Sequence, residues 1–436
     1  MHRFFSSQFF NFELTRILGT APYGGCQVAE FLEAVGKIKK HDAESWYRAW
    51  AEQGEKTERF AAEAAEKGLD AYARDAYLRA SNYFRAAPYM LTAPDDRIVD
   101  MSERSGRNFQ HATSFFEGRV IDLKIPYEKG LVLPGRLFLP SKAKQLPKQK
   151  TPVIVNCGGA DSTQEELYFM YGAKGVELGY AVLLFDGPGQ GATLKRHGAY
   201  LRPDFEVVVS SVLDHVWALA GQSPELQLDL NRVAVAGASL GAHFALRAAT
   251  DRRIAACVAI DPFYSMWDLA LTRMPQWFAL SWLNGYIPDS FVNWSCYAHM
   301  RTDFPSWWEF SLTMWIMNQP TPADLLREFT RYTLRDANHG ELLDLVNCPV
   351  LVAGAKDSIY TDPEVSTLRI AKLLKKVPEE QKDVWLPQSA GEGSLTAKVG
   401  AWDHLAVKTF SFLDKQFGID RAGDSSSSTF SSSSAF

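Results

Sequence analysis

The chain lacks the features that mark several large protein classes. It has no excess of basic residues: 46 lysines and arginines stand against 51 acidic residues, a formal net charge of −5. That balance removes the electrostatic footprint needed to bind nucleic acid or an anionic membrane surface, so neither partner is expected. No apolar run is long enough to span a bilayer, and the opening stretch at 4–11 is too broken by polar residues to be a signal-peptide core. There is no Walker loop, no dinucleotide fingerprint and no cysteine or histidine spacing suited to zinc, so no cofactor and no metal are predicted. The five cysteines are odd in number and form no C-x-x-C pair. They fit a reducing compartment, and the cytoplasm is the expected location. Residues 424–436 are serine-rich low complexity, read as a disordered tail beginning near 419.

Against this background Gly237-Ala238-Ser239-Leu240-Gly241 stands out, directly after the apolar run Val233-Ala234-Val235-Ala236. G-x-S-x-G between a strand and a helix is the nucleophile-elbow pattern. A strand that turns sharply into a helix strains its middle residue, and only small neighbours let the chain pass so closely. The turn would lift the Ser239 hydroxyl above the sheet edge. The Leu240 backbone N–H at the start of the next helix would face an oxyanion.

The flanking chain alternates apolar strands with amphipathic helices. Residues 152–156 run into the glycine turn Cys157-Gly158-Gly159-Ala160, where Gly159 or Ala160 would give a second oxyanion N–H. Further strands are expected at 180–185, 233–236, 255–260, 349–353 and 383–386. The segments 119–127 and 131–139 alternate with period two and read as a leading hairpin. Buried strands of this kind form a mostly parallel sheet with helices on both faces. The fold class is α/β, specifically an α/β-hydrolase core.

A serine hydroxyl is a poor nucleophile at neutral pH and needs a base with a group to orient it. In this core the chain order is serine, acid, histidine. Asp357, after the strand at 349–353, takes the place of the acid. His404 is the sole histidine after Asp357 and is the base by order, although it begins a terminal helix.

The Gly237–Gly241 elbow, the Gly158-Gly159-Ala160-Asp161-Ser162 turn and the Asp186-Gly187-Pro188-Gly189-Gln190-Gly191 loop occur with the helical stretches Ser45-Trp46-Tyr47-Arg48-Ala49-Trp50 and 73–85. Together they resemble the fungal secondary-metabolite branch of the α/β hydrolases. That branch is similar to 2,6-dihydropseudooxynicotine hydrolase, to the heptaketide-shortening hydrolases of melanin pathways, and to hydrolase-fold enzymes of fusarin- and cytochalasan-type clusters. The resemblance implies serine-dependent cleavage of an ester or thioester, or of a carbon–carbon bond beside a carbonyl, and in some pathways ring closure. The substrate it implies is a polyketide or polyketide–amino-acid metabolite, with a mycotoxin pathway among the expectations. One departure stands out. Where melanin- and nicotine-pathway relatives carry their histidine, before a Val-Gly-Ala-like step, this chain has Thr396 ahead of Val399-Gly400-Ala401, with Lys398 as another candidate proton acceptor. Either the base has moved to His404 or the serine works without an ordinary triad, which favours condensation with an enolate held in the oxyanion site.

Five further divisions follow from the pattern: an N-terminal arm at 1–26, a helical domain at 27–117, core segments at 118–262 and 348–418, and between these an inserted cap at 263–347. Rings crowd the cap between Phe263 and Trp315, and with the elbow nearby they suggest a pocket for a small apolar or conjugated metabolite. Trp267 and Asp268 are candidate pocket residues. Asp261 and Asp268 lie near where the nicotine-pathway relative places an additional acid. Asn82 and Tyr83, on the third helix of the N-terminal domain, are candidate ligand contacts. A homodimer is allowed by these features.

Overall fold

A computed structural model of the chain describes residues 2–336 and 340–421. The strands are β1 (Val120–Pro126), β2 (Val132–Phe138), β3 (Thr151–Cys157), β4 (Ala181–Phe185), β5 (Leu228–Ala238), β6 (Ala256–Ile260), β7 (Arg335–Asp336), β8 (Gly340–Glu341), β9 (Val350–Ala353) and β10 (Lys382–Trp385). Eight of them form one sheet in the order β1-β2-β4-β3-β5-β6-β9-β10. The leading hairpin pairs Val120 with Phe138 and Pro126 with Val132, and β2 runs antiparallel to β4. From β4 to β10 every neighbour is parallel. β3, β4 and β6 are buried at every residue, as a sheet covered on both faces requires.

The chain reverses its strand order around β3, β4 and β5, so the turns after β3 and β5 open side by side at the carboxyl edge. A crevice at this kind of switch point is where open α/β sheets hold ligands. The elbow follows β5, and the oxyanion turn follows the neighbouring β3.

Helices cover that edge. The N-terminal domain contains Val28–Val35, Ala43–Glu66, Asp70–Ala86 and Asp96–Thr113. The second of these starts on Asp42, whose carboxylate caps Ser45 N–H, as the sequence indicates. The segment expected as an arm carries its own helix, Gln8–Leu18, whose Phe9, Phe10, Leu14 and Ile17 join the core of that domain. Its apolar stripe needs a partner, and the neighbouring helices supply one. The cap contains five helices from Met266–Leu271 to Pro322–Phe329. It locks onto the N-terminal domain through Trp308, whose indole N–H donates to Tyr89 O at 2.6 Å. No helix among the described residues is long and apolar enough to cross a membrane. Most of the serine-rich tail expected from 419 lies outside the described residues.

Candidate active site

Ser239 stands at φ 54°, ψ −120°, between the end of β5 and the helix Leu240–Ala248. This is a region that a side-chain-bearing residue occupies only under strain. The neighbouring glycines are required by close approach. A Cβ on Gly237 would lie 2.2 Å from Gly241 O, and one on Gly241 2.3 Å from Cys157 O. Gly241→Ala is accordingly expected to push the elbow away from the oxyanion turn, with a loss of about 1–3 kcal/mol read from urea denaturation curves.

The elbow opens into a cavity of about 490 Å³. Its walls are mainly apolar, with Phe12 and Trp308 from the two helical layers and Met170, Phe263 and Trp402 from the core side. The cap therefore helps roof Ser239, as the ring-rich sequence suggested, while the N-terminal share of the roof comes from the helix Gln8–Leu18 and Tyr89 rather than from the helix carrying Asn82 and Tyr83. The outward rings do something else: Trp277, Tyr286 and Trp294 are exposed on the outer side of the cap.

Both backbone sources of an oxyanion site are present. Leu240 begins the helix, so its N–H lacks an intrahelical acceptor. Gly159 and Ala160 line the cavity next to the elbow. The Gly159 N–H, however, donates to Ser162 Oγ at 3.2 Å, which leaves Leu240 and Ala160 as the better donors. Gln190 fixes this turn by donating from Nε2 to Gly158 O and Gly159 O at 2.8 and 3.2 Å. Its Oε1 accepts from Gly187 N. Sequence reading singled out the Asp-Gly-Pro-Gly-Gln-Gly loop without giving it this positioning role.

The expected acid and base are not assembled around the serine. Asp357 is exposed after β9 and accepts a short hydrogen bond from Ser394 Oγ. It is not among the cavity-lining residues. His404 is exposed on the helix Trp402–Phe417 and also lies outside the lining. The physical reason is the helix's buried stripe: Trp402, Leu405, Ala406 and Thr409 turn inward, so positions 403 and 404 turn out. Among the described residues no side chain hydrogen-bonds the Ser239 hydroxyl.

Two other imidazoles are near in different senses. His243, one turn after Ser239, is stacked on Phe263 and bonded through Nδ1 to the Phe263 carbonyl. Burial pushes it down to about 3, so it is a neutral packing residue outside the cavity lining. His299 does line the cavity, but from the cap, with Nε2 3.1 Å from Ser306 Oγ and a side chain 62% exposed.

Thr396 occupies the cavity wall, 5% exposed, its hydroxyl donating to Ser358 Oγ at 3.1 Å. Beside it lies a buried ion pair. Lys398 Nζ donates to Asp261 Oδ1 at 2.6 Å and to Gly354 O at 2.8 Å, while Ala397 N–H donates to Asp261 Oδ2 at 2.7 Å. Asp261, Ala397 and Lys398 all have positive φ. Desolvation raises the Asp261 carboxyl and lowers the Lys398 ammonium, each opposed by its partner's charge. The lysine is therefore a clamp on the loop, with two of its three donors committed, instead of the candidate proton acceptor of the sequence reading.

The remaining sequence candidates are held elsewhere. Asn82 Nδ2 donates to Thr20 Oγ1 and Gly25 O, and its Oδ1 accepts from Arg85. The Tyr83 hydroxyl accepts from Gln27 N and donates to Glu30. Both tie the N-terminal domain together and neither lines the cavity. Trp267 packs on Trp282 within the cap, and Asp268 pairs with Arg369 at 3.3 Å. Polar cavity residues that sequence reasoning missed include Glu13, Arg16, Tyr89 and Glu166. A charged residue on an amphipathic helix reads as solvent-facing, and no local signal distinguishes one that tertiary packing buries.

With this geometry in place, comparisons with known proteins bear on it directly. Residues 30–273 match the family model described as FrsA-like, "Esterase FrsA-like". The chain is 53% identical over 420 residues to the alpha/beta hydrolase gkaG of Penicillium citrinum, covering 96% of this chain and 98% of that one. It is 48% identical to the alpha/beta hydrolase xenA of Xenoacremonium sinensis, covering 97% and 99% of the two chains. Among solved structures, 2,6-dihydroxy-pseudo-oxynicotine hydrolase superposes with a TM-score of 0.66 over 93% of this chain and 96% of its own, at 19% identity. That level of identity speaks to the fold alone.

Proposed function

Because this chain belongs to the FrsA-like α/β hydrolases of fungal secondary-metabolite clusters, we propose that its elbow serves carbonyl condensation: ring closure of an apolar polyketide or polyketide–amino-acid intermediate. One observation carries the reading: Leu240, Ala160 and Ser239 line the chamber, Leu240 with the free N–H of a helix start, and among the described residues no imidazole hydrogen-bonds the Ser239 hydroxyl. Such donors stabilise charge gathering on a carbonyl oxygen without any acyl transfer. A C–H between two carbonyls loses its proton to water, and the enolate oxygen is held by the N–H groups. The enolate carbon then attacks an aldehyde or ketone carbon. A C–C bond forms, the second carbonyl oxygen takes up a proton, and its departure as water with a further C–H proton leaves a C=C bond. The apolar walls keep bulk water from competing.

A second reading is favoured by the strain at Ser239, which is the geometry of an aimed nucleophile. In it Ser239 attacks an ester, thioester or C–C bond beside a carbonyl, Asp357 orients the base, and His404 supplies it after rearrangement of the terminal helix start.

The test is the mass of the product formed from a β-keto amide bearing a tethered aldehyde, together with exposure to a fluorophosphonate probe. Condensation is expected to give a product lighter by one water and no adduct on Ser239. Ser239→Ala should then slow turnover about a hundredfold, through loss of one oxyanion donor. Products heavier by one water and a Ser239 adduct would move the assignment to hydrolysis.

A further inference from the structure

Glu13, Tyr89 and Asp161 form a connected polar cluster on the cavity wall, where the first helix meets the oxyanion turn. Proton accounting around Tyr89 fixes the state of Glu13. The Tyr89 hydroxyl has one proton to give and two lone pairs to receive with. The proton goes to Asp161 Oδ2, in the shortest contact the phenol makes. The Tyr89 oxygen in turn accepts from Arg16 Nη1 at 3.0 Å and lies 3.1 Å from Glu13 Oε1. With its own proton committed, Tyr89 meets Glu13 attractively only when Glu13 brings the proton.

Charge counting leads to the same state. Three carboxyls, Glu13, Asp161 and Glu166, share two guanidiniums, Arg16 and Arg85. Arg16 is engaged by Glu166 in a two-pronged pair at 2.5 Å and by Asp161 at 2.6 Å, and it stands 3.5 Å from Glu13. Arg85 turns to Glu166 at 3.3 Å. The phenol of Tyr360, also facing the cluster, is pushed up by burial and adds no cation, and Arg273 beyond it is paired with Glu309. Glu13 is thus the carboxyl farthest from its counter-charge, 3.5 Å from an Arg16 that Glu166 and Asp161 hold at 2.5–2.6 Å, and it is 3% exposed. Burial pushes it up to about 7.

We propose that the Glu13 carboxylic acid is a second polar subsite of the cavity, donating a hydrogen bond to an uncharged carbonyl group of the ligand and rejecting a carboxylate. A carbonyl oxygen entering the cavity can take this proton from Tyr89, whose oxygen keeps the bond from Arg16, so no buried polar atom is orphaned. An ionised ligand would instead add a third negative charge beside Asp161 and Glu166, against two guanidiniums. The subsite rests on the cavity being the substrate chamber and is independent of the reaction it hosts.

The test reads binding instead of turnover, so its failure is distinct from failure of the condensation reading. The probes are N,N-dimethyldecanamide, which accepts hydrogen bonds but has none to give, and decanoate, titrated calorimetrically into the full chain. Wild type is expected to bind the amide about tenfold more tightly at pH 6 than at pH 8.5, the worth of one hydrogen bond, and to bind decanoate more weakly than the amide. Glu13→Gln keeps a donor that does not titrate and should bind the amide equally at both pH values. Equal amide affinity at the two pH values in wild type, a pH dependence surviving in Glu13→Gln, no amide binding at pH 6, or tighter binding of decanoate would each overturn the subsite. Thermal unfolding gives a second readout. The unfolded chain loses the Glu13 proton near 4.5 and the native chain holds it to about 7, so rising pH across that window disfavours the native state. The Tm of Glu13→Gln minus that of wild type should grow between pH 5 and pH 8, and a constant difference would overturn the protonated state.

Discussion

Thr396→His is expected to turn on ester hydrolysis, raising the rate on 4-nitrophenyl butyrate at least about a hundredfold over wild type, the usual worth of a positioned general base. Position 396 lines the same cavity as Ser239 and stands in the loop that Asp357 reaches through Ser394. An imidazole there would have the serine on one side and, on the other, the Asp357 carboxylate, bonded to Ser394 two residues back along the loop, to fix its tautomer. The gain should vanish in the Thr396→His/Ser239→Ala double variant, and Asp357→Asn should remove most of it. A folded Thr396→His chain as inert as wild type would show that position 396 does not reach the hydroxyl, and the account of the missing base would have to change.

Lys398→Met should cost about 3–5 kcal/mol of folding stability at pH 7, because it leaves a buried carboxylate without its cation. Asp261 and Lys398 side chains are 1% and 0% exposed, so solvent cannot compensate. The deficit should shrink as pH falls, since the unpaired Asp261 can then be protonated and no longer needs the ammonium. Adding Asp261→Asn should recover more than half of the loss: asparagine tolerates the positive φ of this position and keeps an oxygen for the Ala397 N–H. Denaturant unfolding of the two single variants and the double variant measures the coupling. Independent, additive losses would mean that the pair is not the clamp on the 394–400 loop.

Much of the fold was legible because its signals are local. Four-to-six-residue apolar runs marked the parallel strands, period-two alternation marked the hairpin, and the strand–Gly-x-Ser-x-Gly–helix sequence placed Ser239 at a strained turn that the backbone angles reproduce. Even the Thr396 departure could be read from the chain, since it depends only on spacing from Val399-Gly400-Ala401.

What surrounds the serine was decided only by tertiary packing. Whether His404 faces in or out depends on which stripe of its helix the core claims, and Trp402, Leu405 and Ala406 claim the other face. Asn82 and Tyr83 look like ligand contacts along the sequence, yet their hydrogen bonds go to residues 20–30 and to Arg85. Lys398 reads as a candidate proton acceptor until Asp261, 137 positions away, pairs with it out of water. Glu13 and Arg16, on a segment read as an arm, become cavity walls because Asp161 and Glu166, some 145–150 residues distant, fold against them. The sequence by itself determined the sheet, the elbow and the apolar roof, because backbone sterics and hydrophobic periodicity act over a few residues. The protonation and orientation of the polar groups were left to the tertiary structure, because desolvation and charge pairing depend on neighbours that only the folded chain brings together.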